Sequence, residues 1–194
     1  MADQKDTKER LVEVALGLFV SRGYHNTSID DIARESGYTK GTFRYYFSSK
    51  EELARSAIDE ALGRFVRERA AGVPGPDRHV VDRLLVILGM PSVGELPPAG
   101  YSPTDVAIRI ASAREDLRKH METRVAFLVE EVDRMIAKAV ADGQVADDVD
   151  PRQLAQLVLV MGAGIQLSRL LFGRHVNFDQ ARHWVREYLN SLRR

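Results

Sequence analysis

The sequence predicts an all-α fold: an N-terminal three-helix head carrying a helix-turn-helix, followed by a larger C-terminal helical-bundle body, with about nine helices in all. Three observations predict it. Apolar residues recur at three- and four-residue spacing along the chain, and the strict alternation of a half-buried strand is absent. Capping residues and Gly or Pro stops fall at helix-length intervals. Near the N-terminus, two short helical segments are separated by a glycine turn.

The elements follow in order. Leu11, Val14, Ala15, Leu18 and Phe19 share one face of a first helix over 6–22, and Gly23 ends it. Ser28 with Asp31 caps a short helix over 28–35, and Ser36-Gly37 turns the chain. Thr39 caps a third helix over 39–46. Ser49 and Glu52 form a capping box that opens a connecting helix over 49–70. After the Val73-Pro-Gly-Pro break come a helix over 77–88 and a loop over 89–103 with seven Gly or Pro in fifteen residues, either a lid or a plain connection. Helices over 104–113 and 115–142 lead to one capped by Asp150 with Pro151 at its first position, ending at Gly173. Asn177 and Gln180 cap the last helix, where Phe178, Ala181, Val185, Tyr188 and Leu192 step as a heptad seam.

Composition narrows the function. With 28 Lys+Arg against 28 Asp+Glu the chain is neutral, which argues against bulk electrostatic coating of nucleic acid. There are no cysteines, hence no disulfide, thiolate metal site or cysteine nucleophile. The polar N-terminus is no signal peptide, and the longest apolar run, 157–165, is too short for a bilayer, so a soluble cytoplasmic protein is expected. No phosphate-binding glycine loop or Gly-x-Ser-x-Gly is present, and the five histidines lack metal spacing. The expectation is no enzyme, no catalytic residue, no metal and no cofactor.

The third helix concentrates nucleic-acid chemistry. Phe43 and Phe47, four apart, face inward, leaving Lys40, Thr42, Arg44, Tyr45 and Tyr46 largely outward. Gly41 lets the backbone approach a surface closely, Thr39 and Thr42 offer hydroxyls, and Lys40 and Arg44 carry charge. From Ser36 to Lys50 there is no acid.

Five stretches, Leu11–Phe19, Arg22-Gly-Tyr24, Thr27–Ala33, Gly37–Phe47 and Ser49–Leu53, together resemble the DNA-binding domain of the TetR family of bacterial transcriptional regulators in order, spacing and residue type. The resemblance implies that helix 39–46 enters the major groove of double-stranded DNA. It implies contacts from Thr39, Lys40, Gly41 and Thr42, with Tyr45 and Tyr46 reaching backbone or base edges. Lys50 would meet a phosphate, and Thr27 and Ser28 would lie where the second helix meets the DNA backbone. Two residues depart from the family pattern. Arg44 stands where tyrosine is frequent, so base preference can differ. Tyr38 replaces a small aliphatic residue, to fill the core or to present its hydroxyl to DNA.

Past residue 60 the resemblance is looser, resting on Gly143, Asp148-Val-Asp-Pro151 and Leu170-Leu-Phe-Gly173. It implies a division into a helix-turn-helix domain, 1–50, and a dimerisation and effector domain, 51–194. Between Leu157 and Ile165 the penultimate helix is apolar nearly all round, which implies burial on two sides, one of them against a partner or within a monomer's core. Leu157, Met161, Gly164, Ile165, Phe178, Trp184, Val185 and Tyr188 are the expected homodimer face. Phe65, Tyr101, Arg109, Met121, Arg124 and Phe127 are candidates for holding an unidentified small-molecule effector; Arg109 either anchors an anion or snorkels from an apolar face. The expected function is a ligand-responsive regulator, a repressor on a palindromic operator. The alternative is a helical small-molecule- or partner-binding protein that does not act through DNA.

Overall fold

The computed structural model describes residues 2–71, 78–88, 90, 103–172 and 178–194, with side chains over 6–64, 78–88, 90, 106–165, 168 and 179–194. Phe65, Tyr101 and Phe178 as side chains, the 73–76 break, most of loop 89–103, Gly173 and the Asn177 cap lie outside the described residues.

Among the described residues the chain is helical: α1 (Ala2–Arg22), α2 (Ile29–Ser36), α3 (Lys40–Tyr46), α4 (Lys50–Ala71), α5 (Val80–Ile87), α6 (Pro103–Ala111), α7 (Glu115–Ala141), α8 (Pro151–Phe172) and α9 (Phe178–Ser191). Packing divides it into two units, 1–65 with 103–124, and 66–102 with 125–194.

The first unit is built on α1. Leu11, Val14, Ala15, Leu18 and Phe19 are buried as the spacing predicts, and Val12 and Leu16 widen the apolar stripe. Ile32 from α2, Phe43 and Phe47 from α3 and its end, and Leu53, Ala57 and Ile58 from α4 close over it. Val106, Ala107, Ile110 and Ala111 of α6 and Leu117 of α7 join the same core. The head thus recruits helices from beyond residue 100, a partition that a cut after residue 50 does not describe. The physical reason is that the two short helices α2 and α3, of 8 and 7 residues, are too small to bury the 21-residue α1 alone.

Caps fix the short helices. Asp31 N–H donates to Ser28 Oγ (3.1 Å), and Ser28 N–H returns to the Asp31 carboxylate (3.0 Å). Gly37, at φ 77°, stops α2 in the left-handed region that glycine adopts without strain. The expected Ser49–Glu52 box is split. Glu52 N–H donates to Ser49 Oγ (3.2 Å), but the Glu52 carboxylate reaches back to Ser48 N–H (2.8 Å).

In the second unit Val80, Val81, Leu84 and Leu85 of α5 pack with Val132 and Ile136 of α7, Leu154, Ala155 and Val158 of α8, and Leu189 of α9. Asp150 caps α8 by accepting from Gln153 N–H at 3.0 Å. The chain end folds back: Val145 and Arg193 form an antiparallel bridge, and the Arg193 guanidinium pairs with Asp82 of α5. The seam expected on α9 is turned. Leu189 is its fully buried residue, Val185 and Leu192 pack against the core, and Tyr188 and Ala181 are exposed.

Candidate nucleic-acid interface

The two helices of the helix-turn-helix are held by local chemistry. Phe43 and Phe47 are buried with ring centroids 5.9 Å apart, which fixes the rotation of α3. Thr39 caps α3: its Oγ1 accepts from Thr42 N–H (3.1 Å) and lies 3.0 Å from Thr42 Oγ1. Both threonine hydroxyls are therefore engaged with each other at the helix start.

With the two phenylalanines inward, Gly41, Arg44 and Tyr45 are exposed, Tyr45 at 71%. Tyr46 is half-buried against the head core, as is Tyr38, so the Tyr38 ring fills the edge of the core. The Tyr45 and Tyr46 rings meet edge-on at 4.9 Å. Lys40 pairs with Asp30 of α2 at 2.6 Å, so the acid-free run 36–50 is neutralised in part from the preceding helix. Arg44 has no hydrogen-bond or ion-pair partner among the described residues.

Thr27 is buried, and its hydroxyl donates to Gly23 O at 2.9 Å; its side chain belongs to the turn, and of the pair Thr27 and Ser28 it is Ser28 that is exposed. Lys50 is also drawn inward. Its Nζ donates to Tyr24 O (3.0 Å) and Thr27 O (2.9 Å) and sits 4.2 Å from the Tyr24 ring centroid. Partial burial lowers its pKa against the opposing pull of Glu51.

A polar chain continues from this point. The Tyr24 hydroxyl donates to Glu51 (3.0 Å), Arg114 reaches Glu51 (3.3 Å) and Asp116 (2.8 Å), and Arg55 donates to Asp116 (2.9 Å). Burial, then the bond to Glu51, pushes the Tyr24 phenol up. The bond from its own backbone N–H, aided by the Tyr24 hydroxyl and Arg114, holds the Glu51 carboxyl down. His25 Nε2 lies 3.0 Å from Ala113 O. The α6–α7 turn is thus anchored on both the α1–α2 turn and the start of α4. Sequence reasoning missed this network, because its links from α6–α7 to the head, Arg114–Glu51, Arg55–Asp116 and His25–Ala113, join residues more than sixty positions apart.

Two family models match the chain. The bacterial regulatory protein, tetR family, model covers 11–57, and the BetI-type transcriptional repressor C-terminal model covers 107–194. The crystal structure of a TetR transcriptional regulator from Chloroflexus aurantiacus is 30% identical over 100% of this chain and 99% of that one, with a TM-score of 0.76. The chain belongs to the TetR family of bacterial transcriptional regulators. The HTH-type transcriptional regulator YfiR of Bacillus subtilis is 27% identical over 177 residues, 88% of this chain and 83% of that protein. A putative TetR-family regulator from Rhodococcus shares the fold, with a TM-score of 0.78 over 98% of this chain and all of that one at 19% identity. As a TetR-family protein, the chain is a DNA-binding helix-turn-helix transcriptional regulator.

The body candidates separate. In the first unit Met121 packs against the head core, Arg124 pairs with Asp59 at 3.0 Å, and Arg109 is exposed. In the second unit Phe127 is 51% exposed. On α8, Leu157, Val160 and Gly164 are exposed while Met161 and Ile165 lie half-buried on the core; on α9, Trp184 and Tyr188 are exposed. Among the described residues no cluster of three or more metal-ligating side chains occurs, and no helix is long and apolar enough to cross a membrane.

Proposed function

We propose that the protein is a cytoplasmic homodimeric repressor. The α3 helix of each protomer enters the major groove of one half of a palindromic operator, and a small-molecule effector of unidentified chemistry, held in the body, releases it. The observation that carries the dimer is the open apolar surface of α8 and α9. Leu157, Val160, Trp184 and Tyr188 are exposed there, and the small Ala163 and Gly164 lie exposed along α8. Large exposed apolar side chains on two helices of one unit mark an interface, and a two-fold dimer presents two heads to two half-sites. The match of 107–194 to a repressor C-terminal model supports repression. Release requires that the effector bind the two conformations of the body with different affinity.

The test is selection of bound duplexes from a random pool by the purified protein, with its mass measured in solution. A two-fold symmetric consensus, a dimeric mass and affinity that falls as salt rises are expected. A monomer, or a protein that enriches no sequence, overturns the reading.

A further inference from the structure

We propose that Arg44 selects one guanine in each half-site, its guanidinium donating to O6 and N7 in the major groove. This inference rests on the reading that α3 enters that groove, and it names what α3 reads there.

The argument is one of elimination among the groups α3 presents, and Tyr45, though 71% exposed, carries a single O–H donor that cannot serve two acceptors at once. Thr39 and Thr42 are bonded to each other, and the Thr39 oxygen also caps the helix. Lys40 is held by Asp30. Gly41 has no side chain, and Tyr46 is half-buried against the core. Lys50, which follows α3, is engaged by two carbonyl oxygens. Arg44 alone among the cations of the 36–50 run is exposed with no partner among the described residues. Its planar fork carries paired donors, and guanine presents paired acceptors on its major-groove edge. Because no internal ion pair must break, the full discrimination of the fork is available on binding. Gly41 precedes Arg44 by three residues on the same exposed side, so no side chain there holds the helix away from the base edges.

The experiment uses the full-length protein and the duplex selected by the wild type. Each guanine of the half-site is replaced in turn by 7-deazaguanine, which lacks the N7 acceptor, and by the other bases. Binding is measured for the wild type, Arg44→Lys and Arg44→Ala. One position per half-site is expected at which the wild type prefers guanine by about 5- to 150-fold, the worth of one bidentate pair. Arg44→Ala should lose that preference and Arg44→Lys should keep only part of it, because an ammonium lacks the planar fork; both should keep the other preferences and unfold at the wild-type midpoint, because Arg44 is exposed and unpaired. Uniform weakening of all duplexes by Arg44→Ala, with the salt slope reduced by about one per head and Arg44→Lys unaffected, makes Arg44 a phosphate clamp and overturns the proposal. Unchanged base preference in both variants also overturns it. Failure of the wild type to select any sequence overturns instead the reading of α3 on which it rests.

Discussion

The ammonium of Lys50 lies 4.2 Å from the centre of the Tyr24 ring and donates to the carbonyl oxygen of that same residue at 3.0 Å. A second bond to Thr27 O means that one side chain, at the first position of α4, holds both ends of the turn between α1 and α2. That turn sets the direction in which Ser28 opens α2.

Lys50→Met should therefore cost stability first. It removes two charge-assisted hydrogen bonds and a cation–π contact and leaves the Thr27 carbonyl without that donor, a loss of about 1–3 kcal/mol. Urea unfolding measures it. Binding to DNA should weaken as the α2 start loosens, while the slope of affinity against salt stays at its wild-type value. A slope lowered by about one per head would place the ammonium on a phosphate instead.

The capping box of α2 makes a pH prediction. The Asp31 carboxyl is lowered from 3.8 to about 2, chiefly by its bonds from the Ser28 hydroxyl and backbone, with Arg34 adding to them. A carboxyl depressed in the folded state contributes stability above its unfolded value, and that contribution is lost as pH falls through the folded one. The stability gap between the wild type and Asp31→Asn should be widest near neutral pH and should narrow as the pH falls from 3.8 towards about 2. Thermal unfolding of both proteins across acid pH checks this; a gap that does not narrow contradicts it.

Much of this head is written in local pattern. The Ser28–Asp31 and Thr39 caps, Gly37, and the inward pair Phe43 and Phe47 are decided within four residues of themselves, so spacing alone predicts them. What spacing does not carry is tertiary choice. Lys40 reads as a free cation until α2 brings Asp30 beside it, and Lys50 reads as a phosphate ligand until two carbonyls converge on it. The heptad seam on α9 shows a further limit. A period of 3.5 fits Phe178, Ala181, Val185, Tyr188 and Leu192 equally well. Val185 and Leu192 of that series do pack on the core, but Leu189, four and three residues from them, is the residue that fills it, while Tyr188 stays exposed.

Gly41 separates folding from binding. A Cβ built there meets only Thr39 Oγ1, at an ordinary 3.5 Å, and its φ is not in the left-handed region, so nothing in the described fold requires glycine. Glycine in a helix nevertheless costs about 0.5–1 kcal/mol relative to alanine. Gly41→Ala should raise the unfolding midpoint slightly and weaken operator binding, because the added methyl lies where the helix backbone would approach the groove. A variant that is more stable and binds with unchanged affinity would show that DNA does not approach α3 at this point.

The dimer prediction turns on Val160, which is 69% exposed on α8. Its neighbour Val158 is 1% exposed and serves the core, so a charge at 160 disturbs the open face and not the interior. Val160→Glu should leave the helical content and the unfolding cooperativity of the protomer in place, yet shift the protein to monomer in sedimentation equilibrium. Association through this face would then have to bury a carboxylate without a partner on each protomer, which costs several kcal/mol. Affinity for the full operator should fall by about 100- to 10,000-fold, since each head then binds without the effective concentration that its partner provides. Affinity for an isolated half-site should not change. A Val160→Glu protein that remains dimeric and binds the full operator as the wild type does would move the interface away from α8.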